Sequence, residues 1–320
     1  MSEAKLLVTG ANGFVGRALM AAGAARTLAL RAAVRNPASF ASLPSGAERI
    51  AVGDLAATTD WSAALEGCEV VVHLANLAHA AASEEALHRV NVDATLALAE
   101  QAVSHGLRRF VFVSSIKAIG ETSGEKALRA DAQPRPSDAY GRAKLAAEFA
   151  LKELAAKRGL EVVIVRPPLV YGAGVRANFL ALLRAVARGI PLPFASIANR
   201  RSLVYAGNLA EALIACATHP GAAGRTYHVT DGEPVSTPAL VRALGVALQR
   251  PARLLPFPPL LLEWIAGALR RRDTARRLTG SLELDDSAIR AELGWKPRLA
   301  FDEGLRDTAR WYRSLRGAGG

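Results

Sequence analysis

Tyr140 and Lys144 stand four residues apart in DAYGRAK, a stretch of good helix propensity, so a phenol and an ammonium share one helix face. A cation beside a phenol favours the phenolate and is expected to lower its reference pKa of about 10 toward working pH. Ser115 closes the apolar run RFVFVSS 25 residues before Tyr140, so a hydroxyl at a strand's carboxyl end and a phenol on the next helix can converge on one carbonyl oxygen. Such a trio suits proton transfer at an oxygen where charge develops. The same helical spacing also serves ordinary packing, and a second signal gives it meaning. LLVTGANGFVGRAL sets Gly10, Gly13 and Gly16 three residues apart, after a strand-like run and before a helix. Glycines there allow a tight turn and close approach of a diphosphate, and the helix start adds unpaired N–H groups. The loop has neither the lysine nor the Ser/Thr of a P-loop, which disfavours a nucleoside triphosphate.

The elements that must position these residues are legible as short apolar runs at 5–10, 28–34, 49–55, 69–75, 109–115 and 161–167. Each is continuous enough to be buried on both faces. Alanine-rich amphipathic stretches, notably Glu84 to Ser104 and Asp138 to Arg158, lie between them. Alternating strand and helix predicts an α/β fold with a doubly wound, Rossmann-like parallel sheet. Ligands bind beyond the carboxyl ends of such strands, which gathers the glycine loop, Asp54, Ala75 and Ser115 around one crevice. After Arg166 the pattern changes to PPLVYGAGVRANF, further helices, RTYHVTDG and a proline-rich tail, which predicts a smaller, discontinuous second lobe.

With 320 residues and 51% apolar content the chain can bury a large core. Cys68 and Cys216 lie far apart in apolar surroundings, so neither a disulfide framework nor a zinc pattern is expected, and a reducing cytoplasm fits. No charged segment with a long apolar run opens the chain. The stretch LLPFPPLLLEWIAGALRRR contains three prolines and Glu263, falls short of the roughly 20 residues that span a bilayer, and reads as a buried or surface-lying helix. The net charge of +11 raises a nucleic-acid reading, but the arginines are spread out, aromatic content is 6%, and no stacking platform emerges. An anionic small substrate or an anionic membrane face fits that charge equally. His73, His79, His88, His105, His219 and His228 show no metal-ligand spacing, and no G-x-S-x-G elbow appears.

Together TGANGFVG, GDL at 53–55, VVHLAN at 71–76, SSI at 114–116, YGRAK at 140–144, RPPLVYG at 166–172 and RRSLVYAGNLAEA at 200–212 resemble the extended short-chain dehydrogenases/reductases. That group comprises nucleotide-sugar epimerases, dehydratases and 4-ketoreductases. The resemblance runs from about residue 5 to about residue 312. It implies an NAD(P)-binding domain over 1–168, completed by 200–232, and a substrate lobe from 169–199 and 233–320. It also implies cofactor contacts from Gly10, Asn12, Gly13, Phe14, Val15, Gly16, Asp54, Leu55, Leu74, Ala75, Asn76 and Pro167, with Asp54 near adenine. Ser115 and Tyr140 would meet the reacting oxygen, and Lys144 the nicotinamide ribose, while Asn178 and Arg201 would hold the substrate diphosphate. Asn91 would help order the site and His73 would have a positional role.

Two departures bear on detail. Members that prefer NAD carry an acid after the second strand, whereas this chain offers Arg35 in RAAVRNP; arginine suits a 2′-phosphate, which favours NADP(H) and leaves NAD(H) open. Leu169 and Val170 stand where many 4-epimerases place an asparagine. VSSIK, RPPLVYG, ANF and NRRSLV look most like UDP-4-keto-6-deoxy-N-acetylhexosamine 4-reductases. The expected reaction is therefore reduction at C4 of such a UDP-sugar, with a UDP-hexose or UDP-N-acetylhexosamine 4-epimerase as the alternative and a non-catalytic NADP-sensing module as the remote one. Neither nucleic acid nor a membrane span is expected, and a homodimer is allowed.

Overall fold

The computed structural model describes residues 4–78, 82–268 and 272–317, leaving His79, Arg270 and Arg271 outside the described residues. Its strands are β1 (Leu6–Thr9), β2 (Leu30–Val34), β3 (Glu48–Ala51), β4 (Val70–His73), β5 (Arg109–Val113), β6 (Glu161–Arg166), β7 (Leu169–Tyr171), β8 (Leu203–Tyr205) and β9 (Thr226–His228). The helices are α1 (Phe14–Ala24), α2 (Ser62–Leu65), α3 (Glu84–His88), α4 (Ala94–Ser104), α5 (Ala139–Arg158), α6 (Ala177–Ala187), α7 (Ala206–Thr218), α8 (Thr237–Ala247), α9 (Pro259–Ala268), α10 (Arg272–Thr279), α11 (Ser287–Leu293) and α12 (Phe301–Gly317).

Seven strands form one parallel sheet in the order β3-β2-β1-β4-β5-β6-β9, the Rossmann-like arrangement expected, and β7 pairs with β8 in a second small sheet. Strand order reverses at β1, which pairs with β2 on one side and β4 on the other, so the crevice opens beyond Thr9 and His73. The continuous apolar runs work on both faces. Leu6 and Val8 of β1 face α1 and α7 through Leu19, Met20, Leu209 and Leu213, whereas Leu7 faces α4 and α5 through Leu98, Ala102, Ala147 and Leu151. A third core is formed by Tyr171, Phe179, Leu203, Leu240, Leu244 and Leu305.

The runs at 28–34 and 69–75 form strands only over Leu30–Val34 and Val70–His73, and three further elements depart from expectation. The run at 49–55 is a strand only to Ala51: β3 is the sheet edge and largely exposed, and Gly53 at φ +75° turns the chain so that Asp54 leaves it. The run at 109–115 stops at Val113 and releases Ser114 and Ser115 beyond the strand end. The helix over 84–104 is interrupted by a π turn at Arg89–Asp93, which carries Asn91. Among the described residues no helix is long and apolar enough to cross a membrane.

Candidate active site

The glycine loop is built by close approach. Gly10 sits at φ +65°, and a Cβ there would lie 2.8 Å from the Ala75 nitrogen, so β1 and β4 ends could not converge around any other residue. A Cβ on Gly16 would lie 2.2 Å from the Gly10 carbonyl oxygen and 2.7 Å from that of Ala11, which lets α1 start directly on the loop. The Gly13 amide donates to the Gly10 carbonyl at 2.9 Å, and Gly13 caps α1 without a side chain. The first-turn amides of Phe14, Val15 and Gly16, next to this loop, are without an intrahelical acceptor. Asn12 contributes its carbonyl, which accepts from Arg17 Nη1 at 3.1 Å. This cradle fits a diphosphate.

A buried relay fixes the opposite wall. The amides of Leu74 and Ala75 donate to Thr9 Oγ1 at 3.1 and 3.2 Å, and that hydroxyl meets His73 Nδ1 at 2.8 Å. His73 Nε2 meets Thr95 Oγ1 at 3.1 Å, and Thr95 donates to the Asn91 carbonyl at 2.9 Å. Because Thr95 directs its proton to Asn91, the relay requires the His73 tautomer with hydrogen on Nε2. Asn91 then brackets Leu77, accepting from its amide at 2.8 Å and donating to its carbonyl at 2.9 Å; Asn76 Nδ2 donates to the Leu74 carbonyl at 3.0 Å. The π turn thus has a job: its wide turn carries Asn91 to the loop after β4. The expected roles of His73 and Asn91 acquire geometry here, while Thr9, inside the glycine motif, had no role assigned to it and Thr95 lies in no motif.

Burial, helped by the nearby Lys144 ammonium, holds His73 down to about 3, and burial holds His228 down to about 4. Both stay neutral when folded but protonate near 6.5 when unfolded, so their stabilising contribution is complete above about pH 6.5 and is lost as pH falls toward their folded values. Melting temperature should therefore drop on acidification from pH 7 to pH 5, and less steeply in His73→Gln; parallel slopes for the two proteins would refute the assignment.

Beyond the ends of β2 and β3, Arg35 Nε lies 3.0 Å from Asp54 Oδ1, with side chains 74% and 82% exposed. Thr59 donates to the Asp54 carbonyl at 2.6 Å, and Leu55 packs half-buried on the sheet's α5 side. Two residues expected to serve the same end of a cofactor are thus neighbours, and Arg35 is already partnered by an acid.

Asp138 caps α5 by accepting from the Gly141 amide at 2.8 Å, and Gly159 terminates it at φ +73°. A Cβ on Gly141 would lie 2.4 Å from the Lys117 carbonyl, so the glycine beside Tyr140 lets α5 touch the short turn Ile116–Ala118. Ser115 caps that turn, accepting from the Lys117 amide at 3.2 Å, and the Ile116 amide donates to the Pro167 carbonyl at 3.1 Å. Lys144 is 1% exposed and donates to the Val113 carbonyl at 2.9 Å, with Nζ 4.6 Å from the Phe112 ring centre and 5.9 Å from that of Tyr140. Ser115, Tyr140 and Lys144 are in this way brought to one place by α5 and the end of β5.

The expected low pKa of the phenol is corrected by this geometry. Burial, reinforced by the Asp138 carboxylate, pushes Tyr140 up to about 12, and burial takes Lys144 down to about 7 against the pull of Glu148. The ammonium is engaged by a carbonyl and an aromatic face rather than by the phenol oxygen, so desolvation decides, and Tyr140 holds its proton. Glu148, one turn past Lys144, was not anticipated. It is 1% exposed, accepts from Arg166 Nε at 2.9 Å and from Ser114 Oγ at 2.5 Å, while Arg166 also donates to the Ala130 carbonyl at 2.8 Å. Its place on the alanine-rich face shared by Lys144 was the available signal.

Helix α10 is tied to the turn after β5 through charge. Arg277 of α10 lies 3.0 Å from Glu121 and 3.6 Å from Asp138, and Lys117 pairs with both acids. Arg201 donates to the Gly280 carbonyl at 2.9 Å; burial lowers its pKa, opposed by the Glu121 carboxylate. Asn178 is exposed on the first turn of α6 after Ala177 at φ +50°, and no hydrogen bond joins its side chain to that of Arg201. Among the described residues no group of three or more His, Cys, Asp or Glu side chains could hold a metal ion.

Residues 6–230 match the model of the NAD dependent epimerase/dehydratase family. A UDP-glucose 4-epimerase of Vibrio cholerae is 41% identical over 313 residues, covering 95% of this chain and 94% of its own. Among solved structures, MoeE5 in complex with UDP-glucose and NAD superposes with a TM-score of 0.78 at 27% identity, covering 98% of this chain and 99% of its own. The Thermus thermophilus UDP-glucose 4-epimerase in complex with NAD gives 0.76 at 25% identity, covering 97% and 99%. With a glycine cradle at the sheet's switch point and this likeness along nearly its whole length, the chain is an enzyme of the NAD dependent epimerase/dehydratase family.

Proposed function

We propose that this enzyme exchanges hydride at C4 of a UDP-sugar as a UDP-hexose or UDP-N-acetylhexosamine 4-epimerase. The observation that carries the reading is the 41% identity to the Vibrio cholerae UDP-glucose 4-epimerase over 95% of the chain. A bound nicotinamide dinucleotide supplies and accepts the hydride. The cradle at Gly10, Asn12, Gly13, Phe14, Val15 and Gly16 suits its diphosphate, Arg35, Asp54 and Leu55 its adenosine, and Leu74, Ala75, Asn76 and Pro167 the crevice walls. On this reading 1–168 with 200–232 hold the cofactor, and 169–199 with 233–320 hold the substrate, Asn178 and Arg201 facing its diphosphate.

Tyr140, whose burial favours the protonated phenol, gives its proton to the C4 oxygen in the reducing direction. In the oxidising direction it takes that proton back as phenolate, which Lys144 favours once its ammonium turns from the Val113 carbonyl toward the phenol. Ser115 Oγ already accepts a backbone N–H, so its own hydrogen is available to the C4 oxygen. The reducing half alone, acting on a UDP-4-keto-6-deoxy-N-acetylhexosamine, is the second reading. It is favoured by Leu169, 43% exposed where many 4-epimerases carry asparagine.

Incubation with UDP-glucose, UDP-N-acetylglucosamine and the 4-keto-6-deoxy sugar separates the readings. Interconversion of C4 epimers without net cofactor consumption is expected of the epimerase, stoichiometric loss of NAD(P)H of the reductase, and neither result is compatible with C4 chemistry being absent. Arg35 supports a preference for NADP(H), because an exposed ion pair such as Arg35–Asp54 costs little to open for a 2′-phosphate. Arg35→Asp should accordingly weaken NADPH binding about tenfold more than NADH binding, and equal losses would remove the assignment.

A further inference from the structure

Helix α9 turns its apolar side chains outward. Leu260, Leu261, Trp264 and Ile265 share one helix face and are 82%, 44%, 73% and 38% exposed. On the inner side Leu262 packs against the third core, and Glu263 accepts from the Thr279 hydroxyl at 2.5 Å. Five of the ten large apolar residues exposed on the described surface fall between Leu255 and Ile265, so this is a patch rather than scatter.

Its surroundings are basic. In sequence, residues 242–277 hold eight arginines against two acids; Arg277 is paired with Glu121 and Glu263 is turned inward, which leaves seven arginines against one acid. Arg253 is exposed just ahead of the helix, and three consecutive arginines, Arg270 to Arg272, follow it in sequence. A tryptophan among leucines bordered by arginines is the composition of a helix that lies in a lipid interface with its cations on headgroup phosphates. Ten residues are too few to span a bilayer. A second copy is the poorer occupant, because two chains of net charge +11 would bring like-charged borders together.

We propose that α9 lays this face on the surface of a bilayer containing anionic phospholipid. The full-length protein is floated with vesicles of phosphatidylcholine alone or mixed with phosphatidylglycerol, at low and high salt. It should float with the mixed vesicles, and about tenfold less with phosphatidylcholine alone or at high salt. Leu260→Glu and Trp264→Glu should each lower the bound fraction about tenfold, whereas Phe149→Glu, an equal charge change at an exposed site on α5, should not. Brominated lipid should quench the unsubstituted protein's fluorescence, and Trp264→Phe should remove that quenching, a readout independent of any folding defect in the glutamate variants. No flotation, flotation indifferent to α9, quenching that survives Trp264→Phe, or a dimer that Leu260→Glu dissociates without altering flotation would each overturn the proposal.

Discussion

Tyr140→Phe is expected to cut turnover by about two to four powers of ten while leaving fold and cofactor affinity near those of the unsubstituted enzyme. The substitution removes one oxygen and leaves the ring, which packs partly buried against the core beneath α5. Among the described residues that oxygen makes no hydrogen bond: Lys144 directs its ammonium to the Val113 carbonyl, and α5 is capped by Asp138. A purely packing role predicts the opposite pattern, a shift in melting with little kinetic change. Lys144→Met should reduce both turnover and cofactor affinity, and Ser115→Ala mainly turnover, so steady-state rates, cofactor titration and melting on the three variants separate their roles. Near-normal turnover in Tyr140→Phe, under conditions where chemistry limits the unsubstituted enzyme, would remove the proton donor from the mechanism.

Gly16→Ala should raise the dissociation constant for the dinucleotide by about 100-fold, close to 3 kcal/mol. The added Cβ would sit 2.2 Å from the Gly10 carbonyl oxygen and 2.7 Å from that of Ala11, both backbone atoms that cannot rotate away. Relief requires the loop to move off α1, which shifts the first-turn amides from the place where the proposed function puts a diphosphate and costs about 1–3 kcal/mol of stability. Gly46→Ala is the matched control. Unlike Gly16, Gly46 has a positive φ, at +90°, but a Cβ there would meet nothing within 4 Å, so its variant loses stability through backbone strain without touching the cradle. Equal cofactor affinity in both variants would show that the loop does not position the dinucleotide.

Much of this protein was determined locally. Short apolar runs buried on both faces demand a parallel sheet covered on each side, which is why β1, β2, β4, β5 and β6 and the α5 helix were legible from periodicity alone. The glycine spacing and the Tyr140–Lys144 spacing are likewise local constraints, one on backbone approach and one on helix face. Tertiary structure decided what depends on neighbours distant in the chain. Whether β3 is buried turned on its place at the sheet edge, and the pKa order of Tyr140 and Lys144 turned on burial and on the Val113 carbonyl, which no sequence spacing encodes. The relay from Thr9 through His73 and Thr95 to Asn91 joins residues up to 86 positions apart in sequence, and the Glu148–Arg166 pair joins a helix to a strand. Periodicity specifies which side of an element is buried; only the packed fold specifies which polar groups meet there, because an unpaired buried donor or charge is too costly to leave and its partner is supplied from wherever the chain folds back.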